Sequence, residues 1–424
     1  MTAAANTTEF STRNSEPASS THAAIEPFDR EGKNSQSPRG VRLVIPLALS
    51  LALLLCVSII AALSYFIAAR GLFDPCPKAV PNTWEKVVST SNIPGPRLAH
   101  AAVGTSTYMY IHGGLYGSLN ATYDDLWRYD EPKDAWEQLR PTGDVPPARL
   151  HHTLMDRDDQ TMFLFGGFNV FNTDPSHKSY DDLYRLDVKN LVWRKIEPAS
   201  ATRPSARGSH EGAIVNDYMY IFGGFAKIGA SGQNNELWRY SITENVWVDL
   251  TMPPGARGPI GRIGFSMAAI GNLIYIFGGG CDAALNGTSQ QGQCGDSWVY
   301  NTVLNAWSEV TSTNAQYDSP RPRRATNGDV AAYGLIYLFG GVYIGINNTN
   351  ITLFDDLWVF DPLNGANRWM QLHPNYDRPI RPPPSFGNSI VLVGKKLMVF
   401  GGRINSPASP GSNQVWEFNL IPPE

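Results

Sequence analysis

The feature that most constrains this chain is a hydrophobic run that ends in two glycines and occurs six times. The glycine pairs recur every 53 to 62 residues along the chain. A period of this length is typical of repeat folds, in which each unit buries its apolar face only against its neighbours. The repeat therefore decides the predicted fold. The pairs are Gly113-Gly114, Gly166-Gly167, Gly223-Gly224, Gly278-Gly279, Gly340-Gly341 and Gly401-Gly402.

Each unit carries the signals of four short strands. A β-rich run such as YMYIH or TMFLF stands before the glycines and is typical of a buried strand. After a variable loop comes a run such as DDLWRY with an aromatic anchor, followed in five units by a strand marked by Trp. The strand before each glycine run opens, in those five units, near Arg97, Arg149, Arg207, Arg262 and Arg324. Six units of four strands predict an all-β fold, a six-bladed β-propeller.

The same residues resemble the kelch repeat. In that repeat a double glycine closes the second strand, an aromatic residue stands on the third strand and Trp on the fourth. The resemblance covers about Trp84 to Leu420, in six copies that keep the same phase. It implies a kelch-type propeller, but it implies no single activity, because this family includes both binding modules and a few enzymes.

The sixth unit lacks its final Trp strand, and a matching strand stands at the other end of the repeats. Thr83-Trp84-Glu85-Lys86-Val87 matches AWEQL and VWRKI, and Trp84 precedes Trp136 by 52 residues, against 57 for the next step. We expect this N-terminal strand to complete blade six. The propeller is then predicted to occupy residues 82–424.

The residues before the propeller predict a membrane anchor. Residues 1–42 are rich in Ser, Thr, Asn, Ala and Pro, so we expect a disordered tail. Residues 43–69 carry no charge, and as a helix they would be about 40 Å long, enough to span a bilayer core of about 30 Å. Residues 70–81 form a short linker. A slight charge asymmetry favours a cytosolic N-terminus and thus a single-pass protein of the secretory pathway or cell surface.

Sequons and cysteines agree with that placement. Four sequons lie in loops that follow a double glycine, and such loops are predicted to be exposed. The loop of blade four contains Cys281 and Cys294, which we expect to form a disulfide rather than two free thiols. The predicted glycosylation sites are Asn120, Asn286, Asn347 and Asn350.

Two sets of residues are candidates for binding. The five repeated arginines lie near one axial opening, where they can bind a carboxylate or another anion, or instead pair with acids of the DDLW segments. Repetition across blades favours the structural role. Residues that break the repeat form the second set, as exposed aromatic and basic anchors for a partner or as side chains folded over their own loops. This set comprises Phe168, Phe171, His177, Phe225 and Lys227. His112, which replaces a repeated Phe, is expected to be a core histidine.

No motif predicts catalysis, a cofactor or a metal site. The chain has no Gly-x-Ser-x-Gly elbow, Walker loop or HExxH helix, and its net charge of -4 gives no reason to expect nucleic acid. The predicted function is therefore a membrane-tethered kelch propeller that binds a protein or a small anionic or carbohydrate ligand. The alternatives are a membrane-tethered kelch-type enzyme, an oxidase or lyase, and a cytosol-facing kelch adaptor.

Overall fold

A computed structural model describes most of the residues from position 83 onward. The described ranges are 83–89, 92–117, 121–170, 177–225, 233–281, 284–285, 288–289, 292–311, 319–326, 330–345, 350–362, 367–373, 380–404 and 411–420. The predictions for residues 1–42, 43–69 and 70–81 lie outside them. Within these ranges, no helix has the length and apolar character needed to cross a membrane.

The all-β prediction is confirmed. The described residues form six four-stranded antiparallel sheets, which we call blades one to six. Blade one contains Ala101–Gly104, Tyr108–His112, Leu126–Asp130 and Ala135–Leu139; blade two contains Thr153–Asp156, Thr161–Phe165, Leu183–Asp187 and Val192–Ile196; blade three contains Gly208–Val215, Tyr218–Phe225, Leu237–Ser241 and Val246–Asp249. Blade four contains Ser266–Ile270, Leu273–Phe277, Ser297–Asn301 and Ala306–Glu309; blade five contains Val330–Ala332, Leu335–Phe339, Leu357–Asp361 and Arg368–Leu372; blade six contains Ser385–Val393, Lys396–Ile404, Val415–Asn419 and Trp84–Val87.

Short strands outside the blades lie mainly in the loops between the second and third strands. Leu115–Tyr116 pairs with Ala121–Thr122, Ala284–Leu285 with Thr288–Ser289, and Val342–Ile344 with Ile351–Leu353. Arg262–Ile263, Gly280–Cys281 and Gly292–Gln293 form a three-stranded sheet, and Thr142–Gly143 adds to the outer edge of blade two. The only helical segment among the described residues is the 3-10 turn Glu131–Lys133.

Six of the seven hydrophobic core clusters of the described residues each lie between two neighbouring blades. Because successive side chains of a strand point to opposite faces, Tyr110 packs toward blade two while Met109 and Ile111 pack toward blade six. The same division holds at every interface: one to two, two to three, three to four, four to five, five to six and six to one. The contacts therefore run in a closed cycle, consistent with a β-propeller.

The strand around Trp84 fills the outermost position of blade six. Trp84–Val87 pairs antiparallel with Val415–Phe418. In blades one to four and in blade six, the residue before the glycines contacts the outermost Trp of the next blade, as Phe222 does with Trp307 at a centroid distance of 5.2 Å. Trp84 makes the same contact with Phe339 of blade five at 5.2 Å. The N-terminal strand thus takes the place of the Trp strand that the sixth unit lacks.

The first strands of all six blades surround an axial cavity of about 450 Å³. Its wall includes His100 and Ala101 of blade one, His152 and Thr153 of blade two and equivalent segments of the other blades. In an antiparallel meander, the loops between second and third strands share one side of the ring with the connections from each fourth strand to the next blade. We call this side the loop face.

Candidate functional site

A closed ring of backbone hydrogen bonds surrounds the axis where the first strands begin. Each blade contributes one residue, whose amide donates to the carbonyl of the equivalent residue in the preceding blade at 2.7 to 3.0 Å. All six have positive φ, between 52° and 66°, a conformation that glycine adopts most readily. The ring, which we call the collar, runs through Ala99, His151, Ser209, Gly264, Ala325 and Gly387.

Two residues before each collar residue of blades one to five lies a fully buried arginine. Arg97 donates Nη1 to the carbonyl of Gly113 at 2.9 Å and to Oδ1 of Asp125 at 2.6 Å, while its Nη2 donates to Oδ2 of Asp125 at 2.9 Å. The guanidinium thus binds the first glycine of the pair and the acid that directly precedes the third strand, while its Nε donates to the carbonyl of Gly95. The five arginine–acid pairs are Arg97–Asp125, Arg149–Asp182, Arg207–Glu236, Arg262–Asp296 and Arg323–Asp356.

In four of these blades, the acid also accepts a hydrogen bond from a neighbouring tryptophan. The indole Nε1 of Trp127 donates to Asp125 at 2.7 Å, and Trp238, Trp298 and Trp358 bind their acids in the same way. Burial alone would raise the pKa of Asp125, but the hydrogen bonds and charge of Arg97 outweigh it and lower that pKa. These arginines are therefore engaged within the fold, as the structural interpretation of the repeat expected.

The structure corrects the arginine of blade five. The sequence predicted Arg324 near the opening of this strand; 16 residues separate it from Gly340, as 16 separate Arg97 from Gly113. The residue that binds Gly340 and Asp356 is instead Arg323, at a spacing of 17. Blade two has the same spacing of 17 between Arg149 and Gly166. Alignment on the acid and the Trp of the third strand would leave the same ambiguity, so only the register of the collar identifies Arg323.

Blade six replaces the ion pair with neutral residues. Ser385 stands where the other blades have Arg, and its carbonyl accepts the amide of Gly341, as the carbonyl of Arg149 accepts that of Gly114. Gln414 stands where they have the acid, and its Oε1 accepts Nε1 of Trp416 at 3.1 Å. Because both the arginine and the acid are replaced by neutral residues, blade six has no unpaired charge buried at this position.

Three buried histidines link consecutive blades. His100 Nε2 lies 2.9 Å from Ser389 Oγ of blade six, and His210 Nε2 lies 3.2 Å from Thr153 Oγ1 of blade two. His152 Nε2 lies 2.9 Å from Nδ1 of His112. Burial lowers the pKa of His100, His112 and His210 to about 3 and holds that of His152 well below its ordinary value. The four imidazoles are therefore neutral core groups, as expected for His112.

The predicted loop anchors of blades two and three fold inward. Phe168 is 0% exposed and Phe225 is 7% exposed, and their rings are 5.2 Å apart. Both belong to an apolar cluster with Leu98, Leu115 and Leu150. Of the two alternatives that the sequence left open, the burial of both rings excludes exposed aromatic anchors at Phe168 and Phe225. The ring of Phe168 occupies the space beside Gly208, which has no side chain.

Of the other three residues predicted as loop anchors, only His177 lies within the described ranges. The ring of His177 packs 5.1 Å from Phe168, its Nδ1 lies 2.9 Å from the carbonyl of Val170, and its Nε2 lies 3.2 Å from Ser179 Oγ. Its polar atoms therefore have partners in its own loop. Phe171 and Lys227 lie outside the described residues.

Exposed large apolar side chains lie in turns, in blade connections and in one loop after a double glycine. Of the large hydrophobic residues that are exposed within the described ranges, Val303, Leu304 and Tyr333 lie in turns on the opposite side. The others lie in the blade connections or in a loop after a double glycine: Val88, Ile93, Val145, Ile260, Ile351 and Ile380. Of these, Ile351 lies in a loop after a double glycine, and Ile380 lies in the connection that Arg381 joins to Asp355.

Cys281 and Cys294 form a disulfide in the loop of blade four, with their Cα atoms 5.9 Å apart. Cys294 stands where Tyr123 and Tyr180 stack on the buried arginines of blades one and two, and Cys281 pairs through its backbone with Arg262. Asn350 directly precedes the strand Ile351–Leu353. Asn120, Asn286 and Asn347 lie outside the described residues, and glycosylation of all four stays a prediction.

Among the side chains with described positions, no group of three or more His, Cys, Asp or Glu residues is arranged to hold a metal ion.

Comparison with known proteins gives a family match. Residues 76–224 and 172–402 match the model of the KLHDC2/KLHL20/DRC7 Kelch-repeats domain.

Individual relatives carry the same repeats. Kelch domain-containing protein 3 of Rattus norvegicus is 28% identical over 343 residues, which cover 77% of this chain and 82% of the relative. The Homo sapiens protein of that name is 27% identical over the same shares. The host cell factor homolog hcf-1 of Caenorhabditis elegans is 29% identical over 250 residues, 52% of this chain and 31% of the relative.

These findings correct the predicted localisation. A single-pass protein of the secretory pathway requires a spanning helix, and no described residue belongs to one. The matched relatives bear kelch-domain and host-cell-factor names, and none of those names describes a membrane protein. We therefore withdraw the membrane-anchored, secretory placement.

Proposed function

Because this chain belongs to the kelch-repeat family, we propose that it is a protein-interaction module whose partner binds on the loop face. The observation that carries this proposal is the exposure of apolar side chains on the loop face. Ile351 and Ile380 are exposed there, in two segments that the ion pair of Arg381 with Asp355 joins. Exposed apolar side chains on loops held by a rigid scaffold are typical of protein-binding surfaces.

We also propose that residues 82–424 form one ring of six blades. The support comes from three cycles that close on themselves: the inter-blade core clusters, the Phe–Trp contacts and the collar. A closed ring holds the loops of different blades in fixed relative positions. A partner can therefore contact loops of several blades at once without a large loss of conformational entropy.

One sector of the loop face combines two exposed isoleucines with an ion pair. Ile351 is 55% exposed in the loop of blade five, and Ile380 is 56% exposed in the connection to blade six. Arg381 Nε lies 3.0 Å from Oδ2 of Asp355, which ties this connection to that loop. The sector therefore has an apolar centre beside charged side chains, as is common at the rim of a protein interface.

A capture experiment tests the proposal. The full chain, its Ile351→Asp/Ile380→Asp variant and a Val303→Asp/Leu304→Asp variant are used as baits, and bound proteins are quantified by mass spectrometry. Val303 and Leu304 are 71% and 73% exposed on the opposite face, so the control introduces the same charge into an equally open surface. We expect at least one partner to fall about tenfold with the loop-face variant alone. Equal loss with both variants, or with neither, would contradict this use of the loop face.

A further inference from the structure

The loop of blade four differs from three other loops at the position next to the buried arginine. The residue at this position donates its amide to the carbonyl of the second glycine of the pair. In blades one, two and five it is aromatic, and its ring centroid lies 4.0 to 4.3 Å from the guanidinium carbon of the arginine. In blade four it is Cys294, which forms the disulfide with Cys281.

The buried ion pair is more open where this aromatic ring is missing. The acids of blades one, two and five are 14 to 17% exposed. Asp296 of blade four is 31% exposed, and Glu236 of blade three, where Asn234 takes the position of the ring, is 36% exposed. The disulfide therefore does not replace the ring as a cover for the ion pair. It acts on the loop itself, because it joins the two ends of the loop.

Backbone pairs also hold these two ends together. Cys281 pairs with Arg262 on one side and with Gly292 on the other. The amide of Cys294 donates to the carbonyl of Gly279 at 2.9 Å. These hydrogen bonds do not depend on the link between the two sulfur atoms. We therefore expect the chain to keep its fold when the disulfide opens, so the bridge can open and close in the folded protein.

The two cysteines of the bridge differ in their exposure. Cys281 is 1% exposed, whereas Cys294 is half-buried and is followed by Gly295, an exposed residue without a side chain. Thiol–disulfide exchange begins when an incoming thiolate attacks one sulfur of the bridge, so access decides which sulfur reacts. Cys294 is therefore the cysteine that an incoming thiol attacks, and Cys281 is the cysteine that leaves.

The bridge lies close to the proposed binding surface. Gln293, the residue before Cys294, donates its Nε2 to the carbonyl of Ile344 at 3.1 Å. Ile344 pairs with Ile351 in the hairpin of blade five, and the exposed Ile351 is part of the loop-face surface. One residue and one hydrogen bond thus connect the bridge to the hairpin that carries Ile351.

We propose that the Cys281–Cys294 disulfide is a thiol-exchange site for a small thiol such as glutathione, and that opening of the bridge weakens binding of the loop-face partner. This inference rests on the proposed protein-binding function and adds its regulation. The Gln293–Ile344 hydrogen bond transmits the change, because Gln293 is held in place by the bridge at Cys294.

The exchange proceeds in two steps. A glutathione thiolate forms a bond to Sγ of Cys294 while the bond between Cys294 and Cys281 breaks, and the Cys281 thiolate takes a proton from water. A second glutathione thiolate then attacks the sulfur of the bound glutathione, so Cys294 leaves as a thiolate and is protonated, and glutathione disulfide is released. The bridge is reduced by two electrons, and two glutathione molecules are oxidised. Glutathione disulfide closes the bridge by the reverse steps.

Peptide mapping tests the exchange site. The folded full chain is incubated with about 1–10 mM reduced glutathione at several ratios to glutathione disulfide, quenched with acid and digested for mass spectrometry. We expect the bridged fraction to follow the glutathione ratio reversibly. The trapped mixed disulfide should lie on Cys294 at least about five times as often as on Cys281. A bridge that stays closed at every ratio, or a mixed disulfide mainly on Cys281, overturns the site.

Hydrogen exchange tests the connection to blade five. The Cys281→Ser/Cys294→Ser variant removes the bridge, and the Cys56→Ser/Cys76→Ser control removes the other two cysteines of the chain and keeps the bridge. The amides of Ile351–Leu353 should exchange at least about threefold faster in the bridge variant than in the control. Equal exchange in the two variants contradicts the connection.

Two further comparisons make this measurement specific. The amides of Leu115–Tyr116 in blade one should exchange equally in both cysteine variants, since no contact links them to the bridge among the described residues. Gln293→Ala should accelerate exchange at Ile351–Leu353 even with the bridge closed, and an unchanged rate overturns the role of Gln293. Thermal unfolding verifies that each variant is folded. Reduction of the natural chain with glutathione gives the same comparison without a substitution.

Partner capture separates this inference from the function on which it rests. A partner that is lost with Ile351→Asp/Ile380→Asp but binds equally to both cysteine variants overturns the regulation, while the loop-face function stands. Failure of the loop-face function overturns the regulation of binding too, whereas peptide mapping still decides the exchange site. A partner that falls at least about threefold with Cys281→Ser/Cys294→Ser, and not with the cysteine control, supports both proposals.

Discussion

The amide of Ala99 donates a hydrogen bond of 2.9 Å to the carbonyl of Gly387 and so joins blade one to blade six. Five equivalent bonds join the other neighbours, and the collar has no free end. Each collar residue uses both its amide and its carbonyl in this ring. The collar therefore fixes the relative position of the blades near the axis, while the Phe–Trp contacts do so further out.

Trp84→Ala is expected to destabilise the fold by about 3–5 kcal/mol, the usual cost of emptying a large buried aromatic site. Trp84 is 3% exposed and packs against Phe339 and Phe418. Urea unfolding of the full chain measures the free energy. Val88→Ala is the control, because Val88 is 80% exposed in the residue after the same strand. Equal stability of the two variants would show that the Trp84 strand does not hold blade six.

Two neighbouring arginines should differ sharply when replaced. Arg323→Gln leaves the acid of Asp356 and the carbonyl of Gly340 without their buried partner, so we expect a loss of about 3–5 kcal/mol. Arg324→Gln changes a partly exposed side chain next to the collar residue Ala325 and should cost less than about 1 kcal/mol. Thermal and urea unfolding measure the free energy of unfolding of both variants. The opposite order would contradict the assignment of Arg323 as the repeated arginine.

A glycine of a double-glycine pair and a glycine of the collar give a second matched comparison. Gly113 has φ of +65°, and a Cβ there would lie 2.5 Å from the carbonyl oxygen of Arg149. Gly113→Ala should therefore cost at least about 2 kcal/mol. Gly387 has φ of +66°, but its nearest contact would be 3.3 Å from Leu98 Cβ, and the collar already accepts Ala99 and Ala325. Gly387→Ala should cost about 1 kcal/mol in the same assay, and a larger loss than at Gly113 would contradict the steric argument.

Acidification should destabilise the fold through its buried histidines. His100, His112 and His210 have folded pKa values of about 3, against 6.5 for an ordinary histidine. The unfolded chain therefore binds protons below pH 6.5 that the folded chain does not. The free energy of unfolding falls as pH drops from 6.5 toward 3, by up to about 1.4 kcal/mol per pH unit for each group.

The His112→Phe variant tests whether the buried histidines cause this pH dependence. Phe is a suitable replacement because it occupies this position in the other five blades. Urea unfolding at pH 7, 6, 5 and 4.5 gives the pH slope for the protein and the variant. The variant should lose the contribution of one proton from the slope below pH 6. An unchanged slope would mean that His112 takes up a proton in the folded state, in conflict with its 0% exposure.

Much of the fold follows from the sequence because the repeat imposes the same packing six times. The Phe before the glycines and the Trp of the outermost strand are large, buried and regularly spaced, so the displaced Trp84 could be assigned before its partner Phe339 was known. The repeated arginines could be assigned a structural role for the same reason.

The site was harder to predict, because its residues depend on small differences between blades. The register of blade five places the repeated arginine at Arg323, one residue before Arg324. The burial of Phe168 depends on the missing side chain of Gly208 in a neighbouring blade. Hydrophobic periodicity reveals neither effect. It shows which face of a strand is buried, but it does not show how much space a neighbouring blade leaves for a side chain.

The pairing of Trp84 with Phe418 also sets a time requirement on synthesis. The N-terminal strand leaves the ribosome first, and its partner strand follows more than 300 residues later. At about 5–20 residues per second, that interval is on the order of 15–70 s, during which the unpaired strand remains available to chaperones or to other chains. The nascent protein therefore cannot reach its final stability until translation of the repeats is nearly complete.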